Sequence, residues 1–132
     1  MTTFESTVTI PQPVDKIYNF LADMNNHRQL MPAEDISDWQ STYNDARFNL
    51  RGMVVLSLKV DSRVENKEVK ILPAEKPPFD VELKWVLSSS GNSTEVTFTI
   101  AAELNFMMKM AVSGQLKKLA EHETNSLIFL FS

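Results

Sequence analysis

Cysteine is absent from the sequence. Disulfides, thiolate catalysis and cysteine metal sites are therefore excluded, while either a reducing or an oxidising compartment stays open. Glycine is scarce: three residues cannot build a phosphate cradle, and neither a G-x-G-x-x-G run nor a P-loop occurs, so no nucleotide cofactor is expected. Histidine is limited to His27 and His122, far apart in the chain. A metal site needs three or four convergent ligands and "EHE" is no zinc signature, so no metal is expected and both histidines read as surface or edge residues. Serine is plentiful, yet no G-x-S-x-G elbow surrounds any of it, and no catalytic residue is assigned by motif. A concentrated basic face is also missing. The 13 lysines and arginines are interleaved with 17 acids for a net charge of -4, which argues against nucleic acid as a partner. Long apolar runs are missing too. "MTTFESTVTI" has neither the basic start nor the apolar core of a signal peptide, and "SLIFLFS" is too short to span a bilayer. The expectation is a cytoplasmic protein without membrane insertion.

What is present suits one domain over residues 1–132: 43% apolar and 23% charged residues allow a single sizeable core. "TFESTVTI" sets Phe4, Ser6, Val8 and Ile10 on one face, a half-buried strand. "PQPVDKIYNFLADM" places Pro13 at the first turn of a helix with Val14, Ile17, Tyr18 and Leu21 at helical spacing. Asn25 or Asn26 is suited to cap a second short helix, "HRQLM", ended by Pro32. The period then changes to two. "ISDWQSTY" and "ARFNL" flank a turn at "ND"; "MVVLSLKVDSRV", "EVKIL", "FDVELKWVL" and "TEVTFTIAAEL" follow. They set Val54, Leu56, Leu58 and Val60, then Phe79, Val81, Leu83, Trp85 and Leu87, then Val96, Phe98, Ile100, Ala102 and Leu104 against polar neighbours. These are antiparallel strands with one wet face.

The last segment predicts one long helix from about Asn105, an N-cap residue, to about Leu130. Its stripe is Met108, Val112, Leu116, Leu119, Glu123, Leu127 and Leu130. Gly114 is its one weak position. At 1.5 Å per residue about 25 residues reach roughly 38 Å, enough to cross a sheet. The fold class is α+β: a curved antiparallel sheet of six to seven strands around one long C-terminal helix, with two short helices after strand 1. A curved sheet and a straight rod do not fit flush, and a mostly apolar cavity belongs in the gap.

The order of elements, with "IPQPVDKIYNFLADMNN" near the start and "LNFMMKM…LKKLAEH" near the end, resembles the START-like or SRPBCC superfamily. That group holds polyketide cyclase/dehydrase-like proteins, pollen-allergen-like proteins and lipid-transfer domains on the helix-grip fold. The first stretch looks like the family's strand, short proline and helix beginning P-x-x-x-I/V-[YW]. The second is similar to "LNPMLK" at the last helix of small bacterial members, with Phe106 in place of the proline. The resemblance covers nearly the whole chain and implies a fold that hosts binding, transfer and catalysis alike.

Glu123 is the sharpest candidate residue. An inward carboxylate beneath a sheet has a raised pKa unless paired, and suits orienting a ligand or acid–base work. Its structural reading is a carboxylate that sits at the helix edge, pairs with a lysine or reaches solvent at a cavity mouth. Gln115 and Ser126 share the stripe more weakly. Phe48, Trp85, Phe98, Met108, Val112, Leu116 and Leu119, with Met31 and the strand leucines, read either as plain core or as the lining of a hydrophobic pocket. Trp39 fits either face, and Met107, Met110 and Ile128 lie off the stripe as a possible contact patch for a partner or a homodimer. The leading reading is a monomeric or homodimeric protein that binds or transports a small lipophilic ligand between sheet and helix. One rival is a cyclase, dehydratase or hydrolase using Glu123 as acid/base. The other is a protein-interaction module like the chaperone-activating relatives.

Overall fold

The period-two segments all become strands of one sheet. The computed structural model describes residues 1–52, 54–76 and 80–132, with Val54 described in its backbone alone. The strands are β1 (Thr2–Ile10), β2 (Ile36–Ser41), β3 (Asp45–Leu50), β4 (Val54–Val64), β5 (Glu68–Pro73), β6 (Val81–Ser90) and β7 (Ser93–Ala102). They form an antiparallel sheet in the order β1-β7-β6-β5-β4-β3-β2. Helix α1 (Val14–Ala22) and two 3₁₀ segments, Met24–Leu30 and Ala33–Asp35, connect β1 to β2, and α2 (Phe106–Phe131) closes the fold. Phe79 and Met53, expected in β6 and β4, lie outside the described residues.

Register explains the core. Ser6 faces Phe98, Phe98 faces Trp85 and Trp85 faces Val69, so one row crosses four strands. The neighbouring row runs Phe4, Ile100, Leu83, Ile71 and Val60. Because side chains alternate with a period of two, both rows share the concave face, and Trp85, Phe98, Val69, Ile71 and Ile100 are buried there. Trp85 and Phe98 stack at 4.1 Å between centroids, an arrangement that contributes about 0.5–1.5 kcal/mol beyond the area buried.

Two bulges change what simple alternation predicts. In β2 the register shifts between Ser37 and Gln40, with Asp38 at φ 53. The extra residue turns Trp39 toward the core side, where it stacks on Phe48 at 5.1 Å and donates Nε1–H to Ser41 Oγ at 2.9 Å. In β4 the shift falls between Val60 and Ser62, so Arg63 comes into register with Val69 on the inner face. Its guanidinium donates to Ala22 O at 2.9 and 2.8 Å, to Tyr43 O at 2.8 Å and to Asn44 Oδ1 at 2.9 Å. Arg63 thus ties the carbonyl end of α1, the negative end of its dipole, to the β2–β3 turn.

The expected cap of the second short helix is corrected. Asp23, not Asn25 or Asn26, accepts from the Asn25 N–H at 3.0 Å, and the segment is 3₁₀ rather than α. Asn105 does cap α2, accepting from the Met108 N–H at 2.9 Å. Gly114 is exposed and leaves the helix unbroken, since nothing presses on its position.

Candidate functional site

Helix α2 packs mainly on β1, β7 and the Met24–Leu30 segment. Its buried residues are Ala120, Glu123, Thr124 and Leu127, all in the second half. Thr124 fixes the rotation of the helix. Its hydroxyl lies 3.2 Å from Ala120 O, 3.0 Å from Glu121 O and 2.7 Å from Ser6 Oγ. With its one proton shared between the two helix carbonyls, Thr124 accepts from Ser6, so this side of α2 faces β1.

Glu123 precedes Thr124 by one residue, about 100° around the helix. The centre of the buried stripe, Ala120 and Leu127, lies between them, so Glu123 occupies the side of the stripe away from Thr124 and its Ser6 contact. The residue is only 3% exposed, and its carboxyl has no hydrogen bond or ion pair among the described residues. Desolvation by burial pushes its pKa up to about 8, so the neutral acid prevails at pH 7.

The same side of α2 carries Met108, Val112, Leu116 and Leu119, each half-buried. On the concave face of the sheet Phe4, Leu56, Val60, Val81 and Leu83 are also half-buried. Along α2 burial is therefore complete at Glu123 and partial toward Met108. Phe48, Trp85 and Phe98 lie fully in the core.

Other expected site residues fall elsewhere. Gln115 is exposed, which corrects its place on the stripe: the position following Gly114 lies on the outer side of the helix. Ser126 is half-buried and lines a different, open surface cleft of about 380 Å³ with Gln29, Asn125, Phe129 and Leu130. Leu130, expected inward, is exposed and faces that cleft, while Ile128 and Phe131 on the same turn pack against the core. Ile128 packs against the core, while Met107 and Met110 are exposed together with Phe106. A second open cleft, about 630 Å³, lies between α1 and the β4–β5 and β6–β7 turns, lined by Val14, Val64, Asn66, Lys67, Glu68, Val86, Leu87, Ser88 and Ser89.

Two polar groups escaped the sequence reading. His27 is buried, not a surface residue: Nε2–H donates to Leu21 O at 2.7 Å and the ring meets Trp85 edge-on at 6.4 Å. Burial lowers its pKa, so it is neutral and structural. Trp85 is fully buried, and its Nε1–H has no acceptor among the described residues, where Asn49 Oδ1 likewise has no donor. The signal for His27 was its i+3 spacing from Met24 and Leu30 on a short apolar face. No group of three or more potential metal ligands occurs among the described residues. Among them, no helix is long and apolar enough to cross a membrane.

No protein-family model matches the chain. No curated protein matches it either. Solved structures do. A START superfamily protein from Mycobacterium smegmatis superimposes with a TM-score of 0.73 at 17% identity, covering 98% of this chain and 96% of that one. The Aha1 dimer from Colwellia psychrerythraea gives 0.73 at 22% identity, over 99% and 96% of the two chains. The protein XoxI from Bacillus cereus gives 0.79 at 9% identity, over 99% and 96%. These likenesses establish the fold: the chain has the START-like helix-grip architecture.

Proposed function

We propose that the chain, acting as one START-like unit over residues 1–132, binds or carries a small lipophilic molecule in the gap between sheet and α2. The observation that carries this reading is Glu123, a buried acid with no protein partner on an otherwise apolar helix side. An uncompensated buried carboxyl costs folding free energy, so leucine would serve stability better. Its retention is explained by a ligand whose polar end it meets. The half-buried apolar walls from Met108 to Leu119 and from Leu56 to Leu83 supply the surface for the apolar body of that molecule.

The acid–base alternative has less support. Catalysis by Glu123 calls for a second polar group free to act, and His27 is already committed to Leu21 O. The protein-interaction reading is favoured by one observation: Phe106, Met107 and Met110 are 76%, 79% and 76% exposed on adjoining turns of α2. The Aha1 relative is a dimer.

The test is native mass spectrometry of protein purified from its own host under gentle conditions. A retained small molecule that is lost in Glu123→Leu, with the melting temperature unchanged or higher, supports the carrier. Mass equal to the bare chain, together with a dimer broken by Met107→Ser and Met110→Ser, would replace it with the interaction reading.

A further inference from the structure

We propose that the free edge of β1 pairs with β1 of a second copy of this chain, antiparallel about a twofold axis at Ser6. The first ground is the direction of the backbone. The turn between β6 and β7 holds only Gly91, at φ 63, and Asn92, which makes Ser90 and Ser93 a hydrogen-bonded pair. Such pairs alternate along an antiparallel ladder, so Glu95, Thr97 and Thr99 bond to β6 while Val96, Phe98 and Ile100 bond to β1. Their partners Val8, Ser6 and Phe4 are thereby used. Thr3, Glu5, Thr7 and Thr9 turn their N–H and C=O groups away from the sheet. Among the described residues one side chain meets these groups: Lys117 Nζ donates to Glu5 O at 3.0 Å. The Lys117 side chain is itself 53% exposed, so solvent lies beyond the edge.

The second ground is the lack of a safeguard. At the other end of the sheet β2 has six residues and is broken by the bulge at Asp38. β1 has nine residues in unbroken register with β7 and contains neither proline nor lysine. Long regular edges are templates for pairing, and proteins that avoid it blunt them. The bulged β2 offers β1 no matching ladder, so the pairing closes as a dimer instead of extending from copy to copy.

The third ground is complementarity. With the axis at Ser6, all four outward residues are matched: Thr3 lies opposite the partner's Thr9, and Glu5 opposite the partner's Thr7. On the inner face the same register sets Phe4 opposite the partner's Val8, an aromatic against a β-branched side chain, both half-buried within one copy. An axis at Glu5 would put the two Glu5 carboxylates directly opposite each other and Phe4 against the partner's Ser6. An axis at Thr7 would set Thr3 against the partner's Pro11, which has no N–H to give, and Val8 against the partner's Ser6. One register satisfies charge, hydrogen bonding and apolar contact together.

Sedimentation equilibrium on the purified chain tests this, with variants confined to one exposed position of β1. The wild type should dimerise as its concentration rises. Thr7→Pro removes an N–H that the chain's own sheet does not use, so circular dichroism should be unchanged while the dimer weakens at least about tenfold. Thr7→Lys sets a lysine opposite the partner's Glu5 and should tighten the dimer about threefold, whereas Thr7→Glu sets like charges there and should weaken it about as much. That pair decides the matter if Thr7→Pro does not fold. A chain that stays monomeric up to its solubility limit would overturn the proposal. So would a dimer indifferent to Thr7→Pro, or one that Thr7→Lys and Thr7→Glu shift alike. A complex with a chain of different mass, released by Thr7→Pro, would overturn the second copy as the occupant. Retention of a small molecule should be the same in all three variants, so the carrier reading stands or falls separately.

Discussion

The two halves of α2 lie on one helix and continue one stripe, yet they meet different surroundings. From Ala120 to Leu127 the inward positions are buried, with Thr124 bonded to Ser6 and Leu127 at 0% exposure. From Phe106 to Leu119 no residue is buried. Met108, Val112, Leu116 and Leu119 are half-exposed, and Phe106, Met107 and Met110 stand in solvent. Helix α2 as a whole packs on β1, β7 and the Met24–Leu30 segment, and its fully buried residues all lie in the second half. The difference teaches that one amphipathic stripe can be fully packed along one stretch and half-open along another. Stability is concentrated where contact is complete, and apolar surface is left available where it is not. Glu123 lies just inside the boundary.

The sharpest way to break this contrast is to truncate one leucine in each half. Leu127→Ala removes a fully buried side chain and should cost about 2–5 kcal/mol in chemical denaturation. Leu116→Ala, half-buried, should cost less than half as much. Equal losses would mean that the first half is packed as tightly as the second.

The next effect is pH dependence. The Glu123 pKa is raised from 4.5 to about 8 by burial, so the folded protein keeps a proton that the unfolded chain releases. The stability tied to the neutral acid is complete below pH 4.5 and is lost as pH rises toward 8. His27 acts in the opposite direction. Burial lowers its pKa from 6.5, so below 6.5 the unfolded chain binds a proton that the folded one resists, and stability falls with falling pH. The two slopes offset each other below 6.5, and above it Glu123 acts alone. One proton over the interval from about pH 6.5 to 8 amounts to roughly 2 kcal/mol of lost stability. Urea midpoints of the wild type should show this decline, and Glu123→Leu should flatten it. A wild type with no decline over that range would mean that the carboxyl is hydrated or paired.

Smaller effects belong to the first half. Asn105→Ala removes the hydrogen bond to the Met108 N–H and should cost about 1 kcal/mol. Faster hydrogen exchange should be confined to the first turns of α2. Protection lost through Leu127 would show the halves to be one cooperative unit. Met107→Ser should change stability by less than about 0.5 kcal/mol, since its side chain touches little that could be lost. A larger loss in a monomeric protein would show the residue to be covered.

Much of this was legible in the sequence because it depends on local period. Strict alternation in "TFESTVTI" and "TEVTFTIAAEL" placed β1 and β7, and Asn105 announced the start of α2. Glu123 was legible as an inward carboxylate because it is spaced four residues from both Leu119 and Leu127. Trp39 and Arg63 were not legible. Each owes its direction to one extra residue in a strand, at Asp38 and between Val60 and Ser62, and a bulge is invisible to a count of alternation. Gln115 and Leu130 failed for another reason. Helical spacing defines a stripe, but which part of it is buried depends on the elements packed against the helix.

The sequence by itself determined the order of elements, the antiparallel sheet with one wet face, the capped closing helix and the presence of an acid on its inner stripe. These follow from backbone periods of 2 and 3.6 residues and from local capping, which act between near neighbours in the chain. Only the tertiary structure decided that the acid is buried, that His27 is a core residue bonded to Leu21, and that the Trp85 N–H has no acceptor among the described residues. Burial and hydrogen-bond partnership depend on groups brought together from distant parts of the chain. Ser6 and Thr124, 118 positions apart, fix the rotation of α2 at which Glu123 is buried.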